Sequence, residues 1–316
     1  MFLKFEKWHG AKNDFILTWL LGDDDVIFDS LVRQAPSLCK RDGSGVSADG
    51  LLVLHISDRE QIFPDKLSII NSDGSIAETC GNGIRCAALS TLKRHRHYSP
   101  RDIPIGFELD LNSSTVTCRF LGKGKLEGKD YWPLVSVDMG TPKLNDESDR
   151  FSDAKDEVKR VSQELKLPEL TREWGYVDVS NEHLVFFLDD ADRELLLKVG
   201  PAFQESKVWD GINVHLAVAK EVSNKDRTES ANKLGQAIEE LYDVYVWERG
   251  AGETMACGSG ACAVASAALD TGLVERSNWL AIQMPGGRLY CKQEAKDDPV
   301  NLAGPAQYVF EGTIEI

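Results

Sequence analysis

Ser259 through Leu269 contains no charged residue, and most of its positions are alanine or another small group. A helix that is apolar on every side has to be surrounded by protein on every side. Small side chains would let a curved sheet close tightly around it. Ile84 to Leu92 has the same character apart from Arg85. The pattern that accommodates both segments is a pair of strand-rich halves, each folded about one buried helix.

Each of these helices is announced by a cysteine. The first stretch reads Glu78-Thr79-Cys80-Gly81-Asn82-Gly83-Ile84-Arg85-Cys86, and the second reads Glu253-Thr254-Met255-Ala256-Cys257-Gly258-Ser259-Gly260-Ala261-Cys262. Both place a cysteine before Gly-polar-Gly. At a helix N-terminus a thiol sits among unpaired backbone N–H groups and the positive end of the peptide dipoles, which favours the thiolate and lowers its pKa. Glycine lets the backbone turn tightly, so the same N–H groups can face a bound carboxylate. Two such sites point to a pair of sulfurs acting on one small anionic substrate. Free cysteine is by default a small core residue. Cys39, Cys86, Cys118, Cys262 and Cys291 are read that way, whereas Cys80 and Cys257 share a context that packing alone does not require.

Composition narrows the function. At 316 residues, 42% hydrophobic and 28% charged, the chain suits a soluble protein of one large or two ordinary domains. A net charge of −15 argues against a nucleic-acid partner, whose phosphates call for clustered Lys and Arg. The basic run Lys93-Arg94-His95-Arg96-His97 reads as the solvated end of a helix. Phe15 to Leu21 is apolar but far too short to span a membrane. Met1 to Lys7 carries charges where a signal peptide needs an apolar core. Seven cysteines, an odd number, do not read as a disulfide framework. The expected compartment is therefore a reducing cytoplasm. There is no CxxC pair or close Cys/His cluster, so no metal site is expected.

Along the chain, residues 1–8 begin as a strand, and Trp8 to Phe15 is a turn-rich break. Asp29 to Cys39 reads as a helix that Pro36 divides. Leu51 to Ile56 and Leu67 to Asn71 are strands, and the helix after Cys80 runs to about Arg96. Residues 103–121 hold two or three strands, and the glycine- and lysine-rich residues 122–129 a loop. Val135 to Gly140 opens the second half. Further on, Asp153–Leu165, residues 192–206 and Ala231–Glu240 are read as helices. Tyr176–Val179, Leu184–Leu188, Gly211–Val218 and Tyr242–Trp247 are read as strands, and residues 279–316 finish with strands.

Three groups of residues together resemble one known family. They are His9-Gly10 with Asn13-Asp14-Phe15, Asn71 to Ser75 with Cys80 to Cys86, and Trp247 to Thr254 with Ala256 to Cys262. Pro285-Gly286-Gly287 and the ending Gly304-Pro305 to Glu311-Gly312 extend the likeness. The sequence resembles diaminopimelate epimerase. That resemblance implies an α/β fold of two similar domains, each a curved, mostly antiparallel sheet wrapped around a buried central helix. It assigns residues 1–134 with 305–316 to one domain and 135–304 to the other, with the active site in the cleft between them, and a homodimer.

The resemblance further implies an isomerase that interconverts LL- and meso-diaminopimelate, in lysine and peptidoglycan precursor biosynthesis, without any cofactor. Removing a proton from one face of an α-carbon and supplying one from the other needs two acid–base groups, each worth ~10²–10⁴-fold. Cys80 and Cys257 match the catalytic pair. The N–H groups at Gly81-Asn82 and Gly258-Ser259 would hold the reacting carboxylate. Asn13, Asn71, Asn181 and Asn213 fall on the family's substrate-contacting asparagines, Arg249 on the grip for the distal carboxylate, and Glu248 beside the substrate ammonium. Taken singly, each asparagine would be a turn or strand-end residue.

The sequence departs from the family pattern at three places: Lys12 replaces a glycine, Glu182 replaces a proline, and residues 205–211 differ. Alternatives are another racemase of this fold acting on proline or histidine, which would not need the distal grip of Arg249, and a thiol redox or metal-binding protein using the same cysteines.

Overall fold

The computed structural model describes residues 2–22, 25–98, 105–122, 124–126, 129–131, 134–145, 150–206, 208–275 and 278–315. Two compact units emerge, one formed by Met1–Val137 with Gly304–Ile316, the other by Asp138–Ala303.

The first unit opens with β1 (Phe2–Gly10), β2 (Asn13–Leu21), α1 (Asp25–Leu38), β3 (Gly50–Ile56), β4 (Lys66–Asn71) and β5 (Ile76–Ala77). There follow α2 (Gly81–Tyr98), β6 (Gly106–Asp110), β7 (Thr115–Leu121), β8 (Gly124–Leu126), β9 (Lys129–Tyr131) and β10 (Leu134–Asp138). The second unit holds β11 (Lys143–Leu144), α3 (Phe151–Leu165), β12 (Trp174–Asp178), β13 (Glu182–Phe187), α4 (Arg193–Gln204), β14 (Asn213–Lys220) and α5 (Asn224–Leu234). It continues with β15 (Glu240–Glu248), β16 (Gly252–Glu253), α6 (Gly258–Asp270), β17 (Leu280–Met284), β18 (Gly287–Lys292) and β19 (Asn301–Gly304). The last strand, β20 (Gln307–Glu315), returns to the first unit and pairs antiparallel with β1.

In the first unit the strand order is β20-β1-β2-β3-β4-β5. β2 and β3 are parallel and α1 crosses between them; the other pairs are antiparallel. Side chains alternate along these strands. Leu3, Phe5, Ile16, Leu20, Leu51 and Val53 pack with Leu31, Ala35 and Leu38 of α1. Between Leu51 and Val53, Leu52 points the other way, to the start of α2, where a Cβ on Gly83 would lie 2.9 Å from its Cδ2.

The second unit repeats this order. β12 and β13 are antiparallel, β13 and β14 parallel with α4 crossing, β14 and β15 antiparallel, and β15 and β16 antiparallel. Cys257 and α6 then follow β16 as Cys80 and α2 follow β5. Two similar α/β domains are thus visible in the connectivity, each mostly antiparallel, with one parallel pair in the first and two in the second. α6 is buried along nearly its whole length, and α2 is buried from Gly81 through Leu92 except at Leu89. α6 touches β11, β12, β13, β14, β17 and β18. Its alanines permit this closeness: a Cβ on Gly175 of β12 would lie 2.9 Å from Cβ of Ala267.

Several expectations need correction. Pro36 does not divide α1, because it stands in the last turn and few downstream bonds are at stake. The helix expected at Ala231–Glu240 is instead Asn224–Leu234. A reciprocal capping box between Ser223 and Asp226 starts it, and Gly235 at φ 76° ends it. The expected loop at 122–129 contains β8 and the first residue of β9, which pair antiparallel. The basic run at 93–97 is not simply solvated. Lys93 pairs with Glu6 at 2.6 Å and with Glu311 at 3.3 Å, Arg94 donates to the Gln61 carbonyl at 2.6 Å, and His95 is buried. The side chains of Arg96 and His97 lie outside the described residues. No described helix is long and apolar enough to cross a membrane.

Candidate active site

Cys80 immediately precedes α2. Its carbonyl accepts from Ile84 N–H at 2.8 Å, which leaves Gly81, Asn82 and Gly83 N–H without an intrahelical partner. Cys257 is the N-cap of α6, and its carbonyl accepts from Ala261 N–H at 3.0 Å. Its Sγ accepts from Gly260 N–H at 3.3 Å and lies 3.5 Å from Ser259 Oγ. Gly258 and Ser259 N–H are left outside the helical ladder. Gly81-Asn82 and Gly258-Ser259 therefore each stand at the N-terminus of a buried helix.

Around Cys80 the side-chain amides form an oriented chain. Arg85 is fully buried, donates to the Gly81 carbonyl at 3.1 Å and to Asn82 Oδ1, and reaches the Pro305 carbonyl at 3.5 Å. Because arginine only donates, Asn82 must present its Nδ2 outward, and this donates to Asn13 Oδ1 at 3.2 Å. Cys80 Sγ lies 4.0 Å from the same oxygen. Asn13 Nδ2 donates to Asp49 Oδ2 at 2.7 Å, which fixes the orientation of that amide as well. Asp49 is held in turn by Arg41 at 2.8 Å, and Arg41 also pairs with Asp14, itself 2.6 Å from the buried Lys7. Asn71 ends β4, where its Nδ2 donates to Ser75 Oγ at 2.9 Å. Arg85 and Asp49 were missed as supports by sequence reasoning. Arg85 did carry a signal: it is the one charge in an otherwise apolar helical segment.

Lys12 occupies the two-residue turn between β1 and β2, where Ala11 and Lys12 have φ of 52° and 66°. A lysine thus adopts a backbone conformation suited to the glycine it replaces. Ser180, with φ 61°, precedes Asn181 in the equivalent link of the second unit.

In the second unit, Asn213 Nδ2 donates to the Glu182 carbonyl at 2.8 Å, and its Oδ1 accepts from Arg249 N–H at 3.1 Å. Buried Asn213 thereby ties the start of β13 to the end of β15. The Arg249 side chain is exposed, and no carboxylate of the described residues pairs with it. The Glu182 carboxylate is engaged by Tyr176 and lies 3.5 Å from Arg150, so the charge replacing a proline is balanced locally. Asn181 Oδ1 lies 2.8 Å from His183 Nε2. Glu248 accepts from Thr254 Oγ1 and faces Cys257.

The electrostatics of Cys257 run against the expectation of a depressed thiol pKa. Burial pushes it well above its ordinary range, and the Glu248 carboxylate adds to the rise. Ser259 and the Gly260 N–H pull the other way without overcoming burial. Desolvation outweighs the helix terminus, and the resting Cys257 is a thiol. All seven cysteines are free. Burial raises Cys39 to about 11 and Cys118 to about 12, as befits packing residues. A separate cavity of about 630 Å³, lined by Phe28, His55, Lys66 and Ser68 among others, contains none of the predicted site residues.

The sequence profile of the family described as Diaminopimelate epimerase matches residues 5–144 and 175–309. The chain belongs to the diaminopimelate epimerase family. Proteins named diaminopimelate epimerase are 33% identical in a Synechocystis species, over all of both chains, and 37% identical in a Synechococcus species, over 98% of both. One from Methanococcus maripaludis is 30% identical over 99% of this chain and all of its own. The fold is shared more widely. A PhzF-family phenazine biosynthesis protein of Bacillus anthracis superposes with a TM-score of 0.66 at 11% identity, over all of both chains. A hydroxyproline epimerase of Agrobacterium vitis gives 0.55 at 10% identity, over 99% of this chain and 91% of its own. Membership makes this family protein an isomerase of the amino-acid epimerase class.

Proposed function

We propose that the protein interconverts LL- and meso-diaminopimelate by proton transfer at one α-carbon, with the Cys80 and Cys257 sulfurs on opposite faces. The observation that carries this reading is the repeated construction of the site: in each unit a cysteine stands at the mouth of a buried helix beside backbone N–H groups that lie outside the helical ladder. A carboxylate held by those N–H groups can accept the charge that develops as the α-proton leaves, at dipoles already in place. One sulfur removes the proton as thiolate while the other donates from its thiol, and the roles exchange in the reverse direction. The high pKa of Cys257 suits it to donate in one direction. In the other, it must first pass its proton to solvent before the site closes, the substrate ammonium beside Glu248 favouring the thiolate by its positive charge.

Arg249 grips the distal carboxylate with its planar fork. Asn13, Asn71, Asn181 and Asn213 complete recognition of a substrate that is an amino acid at both ends. An Arg249 guanidinium open to a carboxylate favours this substrate over proline, which has no second carboxylate. No cofactor takes part, and the enzyme works in the cytoplasm. It acts as a homodimer, for which the exposed Tyr308, Val309 and Phe310 of edge strand β20 offer an apolar contact.

The deciding experiment incubates reduced enzyme with LL-diaminopimelate in deuterated water. Deuterium should appear at one α-carbon as the meso isomer forms. Cys80→Ala and Cys257→Ala should each abolish epimerisation while keeping the wild-type circular dichroism spectrum. Normal turnover by either variant contradicts the two-thiol scheme, and turnover of proline in place of diaminopimelate contradicts the substrate.

A further inference from the structure

We propose that His215 is a positioning residue: acting through His183, it fixes the Asn181 amide so that its NH₂ group faces substrate. The inference rests on the proposed role of Asn181 in contacting substrate, and it concerns side chains of the second unit alone. His215 lies on β14, where Val214 and Leu216 turn toward α3 and α4 while His215 turns toward α6. Its Nε2 is 2.8 Å from His183 Nδ1, and His183 Nε2 is 2.8 Å from Asn181 Oδ1. Both imidazoles are fully buried.

Burial holds His183 well below its ordinary pKa and His215 at about 3, so both rings are neutral and each carries one proton. Only two arrangements then satisfy the chain. In the first, His215 Nε2–H donates to His183 Nδ1, and His183 Nε2–H donates to Asn181 Oδ1. In the second, every proton is reversed and the Asn181 amide is flipped. His215 Nδ1 distinguishes them, because it is buried with no hydrogen-bond partner. The second arrangement would place a proton on that nitrogen and bury an orphan N–H. The first leaves there only an unused lone pair, the lesser penalty.

The ring cannot swing away to relieve the choice. A Cβ on Gly260 would lie 2.2 Å from His215 Cε1, so α6 closes directly over the imidazole. Asn181 therefore turns its oxygen inward and its two amide hydrogens outward. It suits a substrate acceptor, such as a carboxylate oxygen, and disfavours an ammonium group at that point.

The test combines kinetics with imidazole NMR. In the wild-type protein, long-range ¹⁵N–¹H correlation should find both rings neutral and protonated at Nε2. His215→Leu removes the donor and leaves His183 anchored through Nε2 alone, so its Nε2–H signal should broaden as the ring and the Asn181 amide lose their fixed orientation. KM for LL-diaminopimelate should then rise roughly tenfold with kcat within about twofold, the pattern expected when a hydrogen bond made equally to bound substrate and transition state is removed. His215→Gln can return an N–H near the Nε2 position and should stay within about twofold of wild type in both constants. A wild-type His183 protonated at Nδ1 overturns the proposal, whether or not either variant folds. So does an equal rise in KM for the leucine and glutamine variants. If the protein turns over no diaminopimelate, the proposed function fails, while the wild-type tautomers and the His183 Nε2–H signal in His215→Leu still decide the role of His215.

Discussion

Lys12 and Arg249 show how differently two exposed cations can be placed. Lys12 sits at φ 66°, where an L side chain crowds its own carbonyl. Lys12→Gly should therefore raise unfolding stability by about 0.5–1 kcal/mol, the relief being partly offset by the greater freedom of glycine when unfolded. Urea denaturation reads this directly, and a loss of stability would mean that lysine contributes something beyond backbone shape. Arg249 has its main chain pinned by Asn213 and its guanidinium open. Arg249→Ala should raise KM for diaminopimelate by roughly ten- to a hundredfold, the loss of a charge-assisted hydrogen bond or two. An unchanged KM in steady-state assays would remove Arg249 from the distal grip. The positions of these residues were legible in the sequence because their motifs are local. The pKa of Cys257 was not: helix dipoles follow from neighbours in the chain, whereas desolvation depends on Met284, Glu248 and whatever else folds over the sulfur.

At the scale of elements, the central helices were the most readable feature, since an uninterrupted run of small apolar residues admits few other placements. α5 was the least readable. Its charged, weakly patterned residues offer no apolar stripe, and the signal that starts it lies in the Ser223–Asp226 box. The short β8–β9 pair was hidden because its strands, Gly-Lys-Leu and Lys-Asp-Tyr, are too short to show an alternating apolar set. Contact between α6 and its sheet makes a sharper prediction than propensity does. Glycine in a strand is ordinarily improved by alanine. Gly175→Ala should instead destabilise the protein by about 1–3 kcal/mol, because the added methyl would lie 2.9 Å from Ala267 Cβ. A stabilised variant in urea titration would show that the helix is more loosely enclosed than the structure indicates.

For the whole molecule, the buried histidines contribute to the response to acid. His183 and His215 titrate below the ordinary 6.5 when folded, His215 at about 3. Well above pH 6.5 neither state carries their protons and they leave stability unaffected. As the pH falls below that value, the unfolded chain takes up protons that the native protein refuses. Stability must therefore decline, by about 1.4 kcal/mol per pH unit for each fully mismatched histidine, until the folded values are reached. Unfolding free energies measured between pH 7 and pH 4 should show this slope, and His215→Gln should make it shallower. Equal slopes in the two proteins would mean that His215 is protonated in the native state.

The two-domain plan was legible from the paired cysteine motifs, and the repeated strand order now gives it a structural basis. What no local pattern could reveal is the route of the polypeptide: β1, the first strand of the chain, lies between β2 and β20, the last. During synthesis the outer edge of β1 must wait, bare, until residues 307–315 have left the ribosome. An unpaired edge is an invitation to join the wrong neighbour. Ribosome-bound chains halted before residue 305 should therefore be prone to clumping, and the docking of β20 is the event that seals the amino-terminal domain.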